Sequence, residues 1–270
     1  MKSNIPFFVV NLERDDKKRA HMIELSNSLG LEFHFINAIY GKDLSQDQVD
    51  NVYDEALSKK EFGRSLSRGE LGCALSHISI YQKMIDEDIE IAIVLEDDVE
   101  IDNGIHMFIS AVDALPRNLD VLLLGYYSET ATERLTMRSF RGNQPITSNY
   151  QAVRLVEMAF GTHGYMINLR GAKKLVQVLN KIVKPIDHYT GTENYLNMYG
   201  LSSRLVTLNQ KFKEMGCIEQ DRSVELKVLD NNYDAKAVVK GVLTYLKKIK
   251  FIFWLKRLPR RLKEPKQYNN

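Results

Sequence analysis

Short apolar runs alternate with amphipathic segments along the first two thirds of the chain. The runs are rich in β-branched and aromatic residues and predict strands at 6–12, 32–39, 89–95, 121–125 and 154–160. Helical periodicity predicts helices at about 15–29, 68–86, 105–114 and 170–182. The run at 89–95 is continuously apolar, which is typical of a strand buried on both faces. Strands alternating with helices at this spacing predict a doubly wound α/β sheet, parallel or mixed, flanked by helices.

Local start and stop signals support two of the helices. One of the two aspartates at positions 15 and 16 can cap the first helix, and Gly30 can end it in a left-handed conformation. Ser67 and Glu70 have the spacing of a capping box, in which each side chain bonds the backbone N–H of the other residue. The helix at 68–86 is therefore predicted to begin at this box.

Composition is that of an ordinary globular protein. The 270 residues are 44% hydrophobic and 27% charged, which excludes collagen-like, low-complexity and wholly disordered classes. The cysteines, Cys73 and Cys217, exclude a disulfide scaffold and fit a reducing compartment. The N-terminal apolar run is too short for a signal-peptide core, and no uncharged apolar stretch reaches the ~18 residues of a membrane span. We therefore expect a cytoplasmic protein without a membrane-spanning segment.

Charge divides the chain into an acidic body and a basic tail. Residues 236–270 contain 11 Lys or Arg and one acidic residue, whereas the remainder contains 26 basic and 34 acidic residues. We predict one domain over 1–230 and a separate tail over 231–270. Within 236–262, aliphatic and aromatic residues share one helical face, which indicates an amphipathic helix on an anionic membrane surface. The alternative is a packing helix with a solvated basic face. The acidic body and the absence of a binding motif argue against a nucleic-acid partner.

Three consecutive carboxylates, Glu96, Asp97 and Asp98, directly follow the most apolar predicted strand. Open α/β sheets bind ligands at the carboxyl ends of their strands, which is where these side chains would lie. Neighbouring carboxylates repel one another unless a cation is present. A hard divalent cation, Mn²⁺ or Mg²⁺, would suit these oxygens and would neutralise a diphosphate leaving group. The alternative is an acidic turn that faces solvent.

Other candidate residues follow the first strand and open the helix at 68–86. Asn11 could bind a base or ribose, and Arg14 could bind a phosphate. The alternatives are that Asn11 merely ends the strand and that Arg14 is a solvated surface residue. Gly69 and Gly72 weaken the first helical turn, so we expect something to approach that backbone closely, with the helix N-terminus facing an anion. His77 could face a ligand or be a hydrogen-bonded core histidine.

Two later segments carry polar side chains in turns. Thr162 and His163 lie in the small-residue sequence Gly161–Tyr165. Asp187 follows Pro185 in a rigid turn, far in sequence from the acidic cluster, so the two could face each other across a cleft. A surface helix cap is an equally good interpretation of Asp187.

These segments together resemble glycosyltransferase family 25, the lipooligosaccharide-biosynthesis glycosyltransferases of Gram-negative bacteria. The matching stretches run from residue 9 to about residue 190 in the order of the family: VVNLERD, LSRGELGCALSH, AIVLEDDVEI, DVLLLG, GTHGYMINLRGAKKL and PIDHY. The resemblance implies a GT-A-like fold and transfer of galactose or glucose from UDP-galactose or UDP-glucose. It also implies inversion at the anomeric carbon and dependence on a divalent metal, Mn²⁺ or Mg²⁺.

The resemblance also assigns roles to residues. Glu96 and Asp98 match the metal and diphosphate carboxylates, and Asp187 is assigned as the catalytic base. The remaining matched positions are assigned to the nucleotide-sugar site: Asn11, Arg14, Arg19, Glu70, His77, Asp97, Thr162 and His163. Arg19 stands one place after Lys18, near which the family has a second arginine. A further metal ligand is expected late in the chain, at Gln220 or Asp221.

The implied acceptor is a lipid-linked oligosaccharide, which suits an enzyme held by its tail on the cytoplasmic face of the bacterial inner membrane. Two other functions remain open from the residues alone. The same carboxylates could serve a metal-dependent nucleotidyltransferase or phosphohydrolase, which would cleave the nucleotide without sugar transfer. The tail could also belong to a non-catalytic peripheral membrane adaptor, although intact carboxylates at 96–98 and 187 argue against that.

Overall fold

The computed structural model describes residues 5–126, 142–155, 159, 161–191 and 195–212. Its main element is an eight-stranded mixed sheet with the spatial order β2-β1-β3-β8-β5-β9-β7-β6, and β4 pairs separately with β10. The strands are β1 (Phe7–Asn11), β2 (Phe33–Asn37), β3 (Ile91–Glu96), β4 (Val99–Ile101), β5 (Val121–Leu123), β6 (Gln144–Pro145), β7 (Gln151–Arg154), β8 (Gly164–Asn168), β9 (Met198–Leu201) and β10 (Val206–Leu208). The α-helices are α1 (Asp16–Leu29), α2 (Gln46–Val52), α3 (Glu55–Glu61), α4 (Arg68–Asp86), α5 (Ile105–Ser110), α6 (Leu169–Val178) and α7 (Asp187–Thr190).

The strongest local signals are confirmed. Asp15 caps α1, and Gly30 ends it with φ +60°. Ser67 and Glu70 form both hydrogen bonds of the predicted capping box at the start of α4. These features depend on residues within a few positions of one another, which is why the sequence reveals them.

The central sheet differs from a purely parallel one because β8 lies in its middle. β8 pairs antiparallel with β3 on one side and with β5 on the other. The glycines at 161 and 164 suggested a turn, yet Gly164 begins β8 and pairs with Leu95. A side chain would not fit there, because a Cβ would lie 2.6 Å from the Val206 side chain. The strand predicted at 154–160 overlaps β7 (Gln151–Arg154) at Arg154, and four of its other residues, 156–158 and 160, lie outside the described residues.

Two short helices, α2 and α3, lie between β2 and α4, in a polar stretch of the sequence without clear helical periodicity. Both α2 and α3 have seven residues, too few for an apolar stripe to stand out. Ser45 and Asp54 cap them through hydrogen bonds to Gln48 N and Leu57 N. Among the described residues, no helix is long and apolar enough to cross a membrane.

Two apolar cores cover the two faces of the sheet. Alternate residues of β3 face opposite cores: Ala92 and Val94 pack with α4 and α6, whereas Ile93 and Leu95 pack with α1 and α5. This alternation directs Glu96, the last residue of β3, towards the α4 side, whereas Asp97 and Asp98 lie in the turn that follows the strand. The predicted tail over 231–270 and the further metal ligand at Gln220 or Asp221 lie outside the described residues.

The glycines at the start of α4 serve packing within the chain. A Cβ on Gly72 would lie 2.4 Å from Ile39 O, and a Cβ on Gly41 would lie 1.6 Å from Arg68 O. The close approach expected at this helix is therefore made, at Gly72, by the segment after β2. Gly72 and Gly41 allow two backbone segments to touch beside the sheet edge.

Candidate functional site

The acidic cluster lies at the sheet edge where the neighbouring strands β1 and β3 both end. Asn11, the last residue of β1, is buried, and its Nδ2 donates a hydrogen bond of 2.8 Å to Asp97 Oδ2. The next residue, Asp98, accepts a bond of 2.7 Å at its backbone carbonyl from Asn209 N, just after β10. Parallel pairing of β1 and β3 thus brings together side chains 86 positions apart in sequence.

A lysine from α1 occupies the space between two of the carboxylates. Lys18 Nζ lies 2.9 Å from Asp97 Oδ1 and 2.9 Å from Asp98 Oδ2. Burial alone would lower the pKa of Lys18, but the charges of Asp98 and Asp97 outweigh it and raise that pKa above its ordinary value. The repulsion expected among the three carboxylates is therefore offset in part by a cation of the chain itself, because a buried ammonium pairs with two of them.

One oxygen of Asp98 remains available to a cation. Asp98 Oδ2 pairs with Lys18, whereas Oδ1 is buried and makes no hydrogen bond in the described part of the chain. Such an oxygen is costly to leave unpaired, and a hard cation would satisfy it. The donor set of this edge therefore fits a divalent cation.

Glu96 points towards α4, as the alternation of β3 requires. Its Oε1 accepts a hydrogen bond of 2.6 Å from Thr162 Oγ1. Burial, followed by repulsion from Asp98, raises the pKa of Glu96 from near 4.5 to about 7, although the Thr162 bond acts in the opposite direction. Side-chain ligand atoms of Cys73, His77 and Glu96 all lie within 4.8 Å of one another, so this group could also hold a metal ion.

The raised pKa of Glu96 predicts a specific pH dependence of stability in the metal-free protein. Between pH 4.5 and about 7 the folded chain holds a proton on Glu96 that the unfolded chain has released, so stability falls as pH rises. We expect Glu96→Gln to remove up to about 3 kcal/mol of this loss. Urea unfolding in EDTA from pH 4.5 to 8 measures it, with the exposed Glu90→Gln as control. Parallel pH profiles for Glu96→Gln and the wild type would contradict the assignment.

His77 and His163 are both buried beside this cluster. His77 Nδ1 lies 2.8 Å from the Tyr165 hydroxyl, which in turn bonds Tyr81, and burial lowers the His77 pKa to about 4. Burial also lowers the pKa of His163 to about 4, although the negative charge of Asp98 acts against it. A Cβ on Gly125 would lie 2.4 Å from His163 Nε2, so this ring packs against the end of β5. Both imidazoles are neutral at physiological pH.

Basic and aromatic side chains surround the end of β1. The Arg14 guanidinium stacks over Tyr40, with Cζ 3.3 Å from the ring centroid. Arg19 stacks over Phe35 at 4.3 Å, and its Nη1 donates 3.3 Å to Asn11 Oδ1. These contacts place both predicted nucleotide-binding arginines at the carboxyl end of β1, and Asn11 connects one of them to the acidic cluster.

Asp187 and Glu70 lie on the α4 side of the sheet. Asp187 is the first residue of α7, and the neighbouring Ile186 and Tyr189 pack into the same core as α4. Ala159 N donates to Gly191 O at 3.0 Å, so the end of α7 adjoins the segment that leads to Thr162. Glu70 forms a bidentate ion pair with Arg64 at 2.6 and 2.8 Å. Its carboxylate therefore also stabilises the start of α4, and its predicted role in donor binding remains a prediction.

The sequence comparisons identify the family. The profile of Glycosyltransferase family 25 (LPS biosynthesis protein) matches residues 4–190, which include the acidic cluster, both arginines, both histidines and Asp187. This chain belongs to glycosyltransferase family 25. The members of family 25 are sugar-transferring enzymes, and the matched region covers β1, α1, the acidic cluster and α7.

Several curated relatives in family 25 match over the same part of the chain. Procollagen galactosyltransferase 1-B of Xenopus laevis is 28% identical over 191 residues, 67% of this chain and 30% of that protein. Procollagen galactosyltransferase 2 of Homo sapiens is 31% identical over 175 residues, 63% of this chain and 27% of that protein. A glycosyltransferase 25 family member of Aedes aegypti is 29% identical over 187 residues, which are 67% of this chain and 30% of that protein. The chain thus spans less than a third of the length of these relatives.

Lys18 is a charged residue of this cluster that motif reading missed. It shares the buried face of α1 with Met22 and Leu29, at spacings of four and eleven residues. A lysine on the apolar stripe of a helix indicates a buried cation with an acidic partner, so periodicity could have revealed it. The identity of that partner depends on the packing of α1 against the end of β3, which no local pattern contains.

Proposed function

We propose that this protein is an inverting hexosyltransferase that moves galactose or glucose from a UDP-sugar to a sugar hydroxyl of a lipooligosaccharide acceptor. Family membership supports sugar transfer, and the names of the relatives favour galactose as the first donor to test. The observation that carries the proposal is the cluster at the ends of β1 and β3, where Asn11, Asp97 and Asp98 meet a basic helix.

The residues fit a donor nucleotide with its cation at this edge. Arg14 and Arg19 each stack on an aromatic ring there and supply positive charge for the diphosphate. Asp98, through its buried Oδ1, and Glu96 would hold Mn²⁺ or Mg²⁺. When bound, such a cation neutralises negative charge that develops on the leaving diphosphate.

Transfer then needs a base on the other side of the sugar. As the bond between the anomeric carbon and the phosphate oxygen breaks, its electron pair leaves with UDP. The acceptor hydroxyl attacks the opposite face of the anomeric carbon, which inverts the configuration. Asp187 accepts the proton of that hydroxyl, and its position on the α4 side keeps it apart from the Asp97–Lys18 side of the cluster.

Calorimetric titration of the full chain with UDP, in Mn²⁺ and then in EDTA, tests the proposal. We expect binding that requires the cation, followed by transfer from UDP-galactose or UDP-glucose to lipooligosaccharide. Absence of UDP binding under both conditions would overturn it. Cleavage of the nucleotide sugar that is independent of acceptor would instead favour a phosphohydrolase.

We also propose that the basic segment 236–262 attaches the enzyme to the cytoplasmic face of the inner membrane, close to a lipid-linked acceptor. Its support is the sequence alone, with basic residues interleaved among Trp, Phe and Leu. Sedimentation with anionic liposomes should carry down the full chain and not a chain ending at residue 235. Equal sedimentation of the two chains would count against the anchor.

A further inference from the structure

The ammonium of Lys18 lies between Asp97 and Asp98, beside the carboxylate that would hold the cation. Both Nζ–carboxylate distances are 2.9 Å. The three side chains are only 10%, 12% and 19% exposed, so the charges interact with little screening. The negative charges of Asp97 and Asp98 are thus neutralised in part by Lys18.

The surrounding structure holds this arrangement in place. Asp97 is fixed from the other side by Asn11 Nδ2 at 2.8 Å. Lys18 lies in the first turn of α1, and its backbone N–H bonds Asp15 Oδ1 at 3.4 Å. The four-carbon stem of lysine can still redirect its ammonium without movement of the helix.

We propose that Lys18 is a resident counter-ion that competes with the divalent cation for Asp98 until the donor nucleotide binds. The inference rests on the proposed function, because it takes the cation to be that of the donor. A cation bound at Asp98 Oδ1 would lie next to the Lys18 ammonium, and like charges at such a distance repel strongly. A diphosphate supplies the ammonium with another anionic partner, so nucleotide binding releases the carboxylates.

The expected consequence is that cation and nucleotide bind cooperatively. If UDP removes Lys18 from the carboxylates, UDP strengthens cation binding, and by linkage the cation strengthens UDP binding by the same factor. Lys18 therefore acts as a positioning residue that weakens cation binding until the donor arrives.

Titration of the full-length protein with Mn²⁺ alone, followed by the electron paramagnetic resonance signal of free Mn²⁺, tests this directly. We expect Lys18→Gln to bind Mn²⁺ at least about tenfold more tightly than the wild type, because the competing charge is gone. Lys18→Arg keeps the charge and should bind Mn²⁺ as weakly as the wild type does. Lys17→Gln, which alters an exposed neighbour, should also match the wild type in Mn²⁺ affinity. Misfolding would weaken binding, so it cannot produce the expected gain.

Unchanged or weaker Mn²⁺ binding by a folded Lys18→Gln would overturn the proposal. A second measurement needs no variant: amine acetylation of wild-type Lys18, quantified by mass spectrometry, should rise at saturating Mn²⁺. Constant labelling would also overturn it. Adding UDP separates the two hypotheses, because failure of UDP to bind refutes the proposed function and leaves the result with Mn²⁺ alone intact.

Discussion

Asp98→Asn is expected to abolish sugar transfer together with the cation-dependent part of UDP binding. One oxygen of Asp98 pairs with Lys18, and the other is buried and accepts no hydrogen bond from any residue that the structure describes. Asparagine preserves the shape of the side chain and removes the negative charge that a divalent cation needs. We expect the affinity for UDP in Mn²⁺ to fall at least about 100-fold, towards the value measured in EDTA.

The measurement is UDP calorimetry with Mn²⁺ and with EDTA, combined with a transfer assay. The exposed Asp113→Asn removes the same charge elsewhere on the surface and should behave as the wild type. Circular dichroism melting establishes that both variants are folded. Mn²⁺-dependent UDP binding that survives unchanged in Asp98→Asn would remove this residue from the metal site.

The second large effect is expected for Asp187→Asn. In the proposed mechanism Asp187 takes the proton of the acceptor hydroxyl. The amide of asparagine lacks the basic oxygen that this step needs, so turnover should fall by about 10² to 10⁴. UDP affinity should stay within about twofold of the wild type, because general-base action is separable from binding of the nucleotide. The substitution is nearly isosteric in the short helix α7.

Steady-state kinetics with saturating donor, together with UDP calorimetry, separates a loss of turnover from a loss of nucleotide binding. Glu61→Gln changes a partly exposed carboxylate that pairs with Lys184 at 3.2 Å and should leave turnover unchanged. A fall in UDP affinity equal to the fall in turnover would point to a binding role for Asp187. Retention of most of the activity would exclude it as the base.

Local sequence signals predicted those parts of the site that lie at element ends. Glu96 ends a strand whose apolar run is unmistakable, and Asn11 ends the first strand, so both could be placed at one sheet edge before the structure was known. The direction of the Glu96 carboxylate also follows from alternation along β3, whereas Asp97 and Asp98 lie in the turn after the strand. In contrast, β8 escaped prediction because its residues match a turn, and only contacts with β3 and β5 make it a strand.

By itself, the sequence determined the family, the main strands and helices, and the cluster of carboxylates after β3. Each of these depends on residue types at short spacings, which physical rules for caps, periodicity and strand ends can interpret. Only the tertiary structure decided that Lys18 neutralises Asp97 and Asp98, that Glu96 faces Cys73 and His77, and that Gly72 adjoins the chain after β2. These contacts join segments distant in sequence, and their energies depend on burial and on distances that only packing establishes.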